Sequence, residues 1–263
     1  MENNIDVKLF YENSYNEEAR EARDTLEFVR SKIIISRYLS DKTMEIADVG
    51  AGPGAYSFWL AKMGHRVHLL DLAQKHIDIA KQKSQINNIS LASYSCADAR
   101  NLPYDDESMD LVLLMGALYH LQSRESRLKC LTEAFRVLKH GGYMLCTVIS
   151  RYTSLIASLK YDLIDIWVIE YLKKVVNTGI LDKSTLPLAY CHTPKEIFSE
   201  VSDADFKNIQ LIAVEGIGNA LGDNSLLKDE RTTEHLFKCI ELTESIPELL
   251  GVSRNIMAIG RKP

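Results

Sequence analysis

The nonapeptide DVGAGPGAY, residues 48–56, puts glycine at 50, 52 and 54, directly after an apolar stretch that includes Met44, Ile46 and Ala47. A glycine inside an ordered element costs about 0.5–1 kcal/mol relative to alanine. Three at this spacing therefore mark a loop that something must approach closely. Strand 44–49, this loop and a helix over 55–63 open a parallel α/β unit, with Gly64 at the expected helix C-cap.

The rest of the chain keeps the rhythm. Strand 66–71 leads to a helix over 73–85, and a short strand over 90–96 follows. MDLVLLMG, residues 109–116, is an unbroken apolar run, the pattern of a strand covered on both faces. Leu128, Leu131, Phe135 and Leu138 mark the next helix, stopped at Gly141-Gly142, before an apolar strand over 143–149. A helix at 194–202, a strand at 206–215, a helix at 228–243 and a strand at 253–260 complete the alternation. Such alternation implies right-handed crossovers and a mainly parallel sheet. Two segments stand outside it. Residues 16–39 read as an amphipathic helix with Ala19, Ala22, Leu26, Val29 and Ile33 on one face, and 151–189 carries apolar helical stretches beyond the needs of a connection.

Composition narrows the function classes. The chain has 263 residues, 46% hydrophobic and 25% charged, which suits one α/β domain with an elaboration. The net charge of −5 and the absence of any Lys/Arg run longer than two argue against a nucleic-acid face. Five cysteines without C-x-x-C spacing suggest neither a disulfide framework nor a zinc site, so no metal is expected. The start Met1-Glu2-Asn3-Asn4 resembles no signal peptide, and the longest apolar runs are half a membrane span, so a cytoplasmic protein is expected.

A glycine loop between a first parallel strand and its helix offers a ligand bare backbone and free N–H groups at a positive dipole end. GAGPGA fits G-x-G-x-x-G/A, and Asp71 lies 21 residues after Gly50, the place for a carboxylate that grips a ribose diol. That pattern fits NAD, FAD and S-adenosylmethionine alike. Asp48, two residues before Gly50, would sit poorly beside a pyrophosphate but suits a ligand with ammonium and sulfonium groups. Asp98, in CADARNLPY after the third strand, offers an acceptor for an adenine amino group.

These motifs, with DESMDLVLLMGALYHL and RVLKHGGYML, form an ordered series that resembles the class I S-adenosylmethionine-dependent methyltransferases, in particular the small-molecule branch with the ubiquinone/menaquinone enzymes. The resemblance implies a doubly wound, mainly parallel seven-stranded Rossmann-like sheet with a helical cap insertion. It divides the chain into an N-terminal helical lid (1–40), a cofactor-binding core (41–150), the cap (151–189) and a C-terminal completion of the sheet (190–263). It also implies that Gly50, Ala51 and Gly52 line the methionine part of S-adenosylmethionine, with Asp48 nearby. By the same resemblance Asp71 binds the ribose with Leu72 beside the adenine, Asp98 and Ala99 meet the adenine edge, and Met115-Gly116 form the floor. Tyr15 and Arg20, in a segment that folds over the cofactor in that family, are candidates to close the pocket.

For the chemistry, His120 and Tyr119 follow the fourth strand directly and are candidates to orient an acceptor or take its proton. His192, just before Thr193 at a helix N-cap and Pro194 at N1, is a third candidate or simply part of that turn. LMGALYHL stands where enzymes acting on exocyclic base amines or glutamine amides carry Asn/Asp-Pro-Pro-aromatic. A small-molecule acceptor is therefore expected, with a homodimer left open through exposed apolar residues of 155–176. A nicotinamide- or flavin-dependent oxidoreductase and a macromolecular or non-catalytic protein of the same fold remain the alternatives.

Overall fold

The computed structural model describes residues 5–13, 26–163, 165–181, 189–220 and 230–263. Its strands are β1 (Glu45–Val49), β2 (Arg66–Asp71), β3 (Ser93–Cys96), β4 (Met109–Leu114), β5 (Leu138–Ser150), β6 (Ile180–Leu181), β7 (Ala189–His192), β8 (Lys207–Ala213) and β9 (Asn255–Arg261). The helices are α1 (Ile5–Asn13), α2 (Leu26–Ser36), α3 (Ala55–Lys62), α4 (Gln74–Asn87), α5 (Arg124–Val137), α6 (Thr153–Lys160), α7 (Ile166–Thr178), α8 (Pro194–Asp203) and α9 (Glu230–Thr243).

The central sheet runs β3-β2-β1-β4-β5-β9-β8, parallel as far as β5, with β9 antiparallel to both β5 and β8. These are the seven strands expected from the resemblance. The sheet holds two more, because β7 pairs parallel with the end of β5 through Ile149 and Ser150 and carries β6 as an antiparallel partner. Cys146 has β4 on one edge and β9 on the other, while Ile149 has β9 and β7. β7 therefore lies on the β4 side of β5, beyond the point where β4 stops. Its few residues carry too little periodic pattern to declare a strand.

Burial follows the period of two expected of a doubly covered strand. Leu111 and Leu113 of β4 join one apolar layer with Ile35, Ile46, Leu69 and Ile77, and Val112 and Leu114 join the other with Val49, Leu131 and Ile256. The turn at Gly64 is as the sequence predicts. Its φ of +91° closes α3, and its N–H donates to Ala61 O at 3.0 Å. α8 starts with a capping box, in which Thr193 Oγ1 accepts from Glu196 N and the Glu196 carboxylate accepts from Thr193 N. The helix predicted over 16–39 is seen as α2 from Leu26, and its earlier part lies outside the described residues.

Candidate functional site

A parallel sheet collects the loops that follow its strands at one edge, and here those loops enclose a cavity of about 310 Å³. The loop after β1 contributes Asp48, Gly50, Ala51 and Gly52, and the end of β2 contributes Asp71 and Leu72. The loop after β3 contributes Asp98 and Ala99, and that after β4 contributes Met115, Gly116, Tyr119 and His120. Residues far apart in the chain, each singled out from sequence, thus share one wall-to-wall space. Tyr15 and Arg20 lie outside the described residues.

The glycine loop is held by the strand beside it. Gly50 N and Ala51 N both donate to Leu70 O, at 2.8 and 3.1 Å. Gly52 N donates to Asp71 Oδ2 at 2.8 Å, while Asp71 Oδ1 accepts from Ala73 N at 2.8 Å and His76 Nδ1 at 3.0 Å. Gly50 and Gly52 both have left-handed backbone, with φ of +70° and +57°. A Cβ on Gly50 would stand 2.9 Å from Ala117 Cβ. The crowding at Gly50 comes from the protein's own loop after β4, a term the sequence reading did not include.

Asp48 is fully buried and its Oδ2 accepts from Ser57 Oγ at 2.6 Å, at the start of α3. Asp98 is held by Arg100, whose Nη2 donates to Oδ2 at 2.7 Å. Three carboxylates on the β1–β3 side give this half of the cavity a negative field, suited to a cationic ligand. His76, absent from the sequence reading, lines the same half at 3% exposure, and its Nε2 has no hydrogen-bond partner. Because that atom also faces the cavity, it is suited to receive a ligand group. Carboxylates, bare glycine backbone and a polar atom awaiting a partner together fit a cofactor that carries a ribose and positive charge.

Over β4 the chemistry changes. Tyr119 and His120 sit in a single 3-10 turn, Leu118–His120, with ring centroids 4.6 Å apart. From α1, Tyr11 reaches across the cavity so that its Oη lies 2.8 Å from His120 Nε2, with its ring edge-on to those of His120 and His76. Val7, Tyr11, Glu27 and Phe28 bring the N-terminal segment into the wall. Glu27 and Phe28 belong to the helix read from sequence, but no periodicity says what a helix covers. On the far side Arg254 lines the cavity.

Two expectations meet a different placement. His192 does not line the cavity. It is fully buried, with Nε2 3.2 Å from Glu200 Oε2, and Arg127 grips the same carboxylate from 2.7 Å. Burial pushes the His192 pKa down, so it is a neutral member of a packed ionic cluster. The inserted segment is the second case, because none of its described residues lines the cavity. Val175 and Leu181 instead pack with Ala189 and Cys191 against Tyr119, buttressing the turn that bears His120. Burial pushes the Cys191 thiol up to about 12, which removes it as a nucleophile at neutral pH.

Comparison with known proteins gives four findings. The family model described as "Methyltransferase domain" matches residues 47–146. The chain is 28% identical over 154 residues to a mitochondrial 2-methoxy-6-polyprenyl-1,4-benzoquinol methylase of Danio rerio, a match covering 57% of this chain and 46% of that protein. A ubiquinone/menaquinone biosynthesis C-methyltransferase of Bartonella bacilliformis is 28% identical over 123 residues, covering 45% of this chain and 46% of that protein. The chain thus matches less than half the length of either curated relative. Among solved structures, a SAM-dependent methyltransferase from Methanosarcina mazei superposes with a TM-score of 0.59 at 18% identity, over 87% of this chain and 96% of that one.

Proposed function

Residues 47–146 match the methyltransferase-domain family model, and from that match we propose that the protein transfers a methyl group from S-adenosylmethionine to a small-molecule acceptor. The observation that carries the reading is the division of one cavity into a carboxylate-lined half over β1–β3 and a Tyr11–His120 pair over β4. Asp71 and His76 would hold the ribose, Asp98 the adenine edge, and the backbone at 50–52 with Asp48 the amino-acid end. When bound, the cofactor supplies an electrophilic methyl carbon whose leaving group is a neutral thioether, so no acid is needed. The protein's own task is to align the acceptor, exclude water and dispose of a proton.

The Tyr11–His120 pair is suited to that last task. With the Nδ1–H tautomer of His120, Tyr11 Oη would take the proton of a nearby acceptor hydroxyl or ammonium while passing its own to His120 Nε2, leaving the charge on the imidazolium. Tyr11 belongs to α1, so the pair forms only when that helix lies over the cavity. We therefore read the N-terminal segment as a lid that completes the site on closing. The names of the curated relatives refer to quinol and quinone chemistry, which supports a small molecule as acceptor here.

The direct test is titration calorimetry with S-adenosylhomocysteine and with NADH, followed by transfer of labelled methyl from S-adenosylmethionine to a panel of phenols and amines. Micromolar binding of S-adenosylhomocysteine with label transfer supports the reading. Binding of NADH alone would return the chain to the oxidoreductases.

A further inference from the structure

Arg254 is the sole lysine or arginine among the described residues that line the cavity. Four strand steps, β2-β1-β4-β5-β9, separate it from Asp71, roughly 19 Å of sheet at about 4.8 Å per step. The three carboxylates that suit a cationic cofactor lie on the β1–β3 side, and Tyr119 and His120 rise from β4 between them and Arg254. The cavity is thus negative over β1–β3, with the Tyr119–His120 turn between that half and Arg254, its single cation among the described residues; Glu27 also lines it and acts on Glu215, which the neighbours of Arg254 bind.

The guanidinium is presented from a fixed base. Arg254 O accepts from Ser150 N and from Thr153 Oγ1, both at 2.9 Å. Its neighbours Ser253 and Asn255 are buried, and both bind the buried carboxylate of Glu215: Ser253 Oγ at 2.8 Å, Asn255 N at 2.9 Å and Asn255 Nδ2 at 2.7 Å. The flanking residues point into the protein, and the arginine side chain between them is exposed. Among the described residues that side chain makes no hydrogen bond or ion pair, whereas Arg30, Arg127 and Arg151 each hold a carboxylate. A fork of donors fixed at its root and turned to the cavity is matched to a carboxylate or phosphate, which it binds by two parallel hydrogen bonds.

We propose that the methyl acceptor is an acid, and that Arg254 anchors its carboxylate or phosphate so that the nucleophilic atom lies over β4 beside Tyr119 and His120. The inference rests on the methyltransferase reading. It makes Arg254 a specificity residue for the acceptor, with no part in holding the cofactor. The carboxylates at the other end reinforce the choice, because they repel an acidic acceptor from the cofactor's half.

The test uses the full chain saturated with S-adenosylhomocysteine and two matched probe pairs, 4-hydroxybenzoate with 4-hydroxybenzamide and phosphoethanolamine with ethanolamine. The pairs separate the carboxylate from the phosphate source. At least one acidic member is expected to bind more than tenfold tighter than its neutral or cationic partner. Arg254→Gln should abolish that preference and Arg254→Lys should retain part of it, with S-adenosylhomocysteine affinity and thermal midpoint unchanged in both. Equal binding within each pair, a preference that survives in Arg254→Gln, or no acidic probe binding more tightly than about 10 mM overturns the inference while leaving the methyltransferase reading intact. Failure of S-adenosylhomocysteine itself to bind removes that reading, and this inference with it.

Discussion

Tyr11 Oη and His120 Nε2 lie 2.8 Å apart across 109 residues of chain, one on the first helix and the other on the turn after β4. The contact ties α1 to the strand end over which methyl transfer is proposed. Tyr11→Phe keeps the ring and its edge contacts with His120 and His76 but removes the hydroxyl. We expect kcat to fall by about tenfold to a hundredfold, in the lower range of general acid–base effects, with S-adenosylhomocysteine affinity changed less than about threefold. Unchanged kcat in a folded variant would reduce Tyr11 to a packing contact of α1.

Asp71 receives the N–H groups of Gly52 and Ala73 and the His76 ring, so it organises the glycine loop as well as facing the cavity. Asp71→Asn turns an amide NH₂ toward one of those donors and removes the charge. Charge-assisted hydrogen bonds are each worth about 1.5–3 kcal/mol, so S-adenosylhomocysteine affinity should drop more than tenfold. Calorimetry on a variant shown to be folded by circular dichroism reads the effect. Wild-type affinity would remove Asp71 from the cofactor site.

Two glycines with positive φ separate backbone strain from packing. At Gly64, φ +91°, an added Cβ meets nothing within 4 Å, while at Gly50, φ +70°, it meets Ala117 Cβ at 2.9 Å. Gly64→Ala should cost only the left-handed backbone term, about 1–2 kcal/mol. Gly50→Ala should cost that plus roughly 1–3 kcal/mol of overpacking, and it should weaken cofactor binding by displacing the loop after β4. Urea denaturation of both variants measures the difference. Equal losses would show that the Gly50–Ala117 approach relaxes freely.

His192 makes the prediction in pH. Burial lowers its pKa, and its Nδ1 has no hydrogen-bond partner, so protonation would leave a second N–H unsatisfied. A group whose folded pKa lies below its unfolded value near 6.5 contributes stability that is complete above that pH. The contribution is lost as pH falls toward the lowered native pKa. Wild-type stability should therefore decline below about pH 6.5 more steeply than that of His192→Leu, while S-adenosylhomocysteine affinity at pH 8 stays unchanged in the variant. A large loss of affinity there would return His192 to the site.

Removing the carboxylate of the same cluster is a sharper stability test. Arg127 and Glu200 are both about 2% exposed. Glu200→Ala leaves Arg127 buried with the carbonyls of Leu121 and Gln122 as hydrogen-bond partners and the Tyr190 ring against its guanidinium, but with no carboxylate. Breaking a buried pair from one side costs about 3–5 kcal/mol, and the chemical denaturation midpoint should fall accordingly. A loss below about 1 kcal/mol would mean that water reaches the cluster.

What the sequence determined by itself is what short-range chemistry writes into a few neighbouring residues. The alternation of apolar strands and helices, the turn at Gly64, the N-cap at Thr193 and the position of Asp71 at a strand end all depend on contacts within about a turn or a strand length. The loop residues after β1 to β4 followed from the same information, because parallel strands necessarily deliver their following loops to one edge. Tertiary structure decided the rest. That Tyr11 meets His120, that His76 completes Asp71, that Glu200 buries His192 away from the cavity and that Arg254 lines the same cavity as Asp71 all depend on which elements pack across the sheet. Two strands escaped the reading for the same reason. Ala189–His192 is a strand because the end of β5 extends past β4 and needs a partner, and Ile180–Leu181 because it pairs in turn with Ala189–His192. A hydrogen-bonding demand of that kind is set by the neighbouring strand, and it leaves no pattern in the residues that answer it.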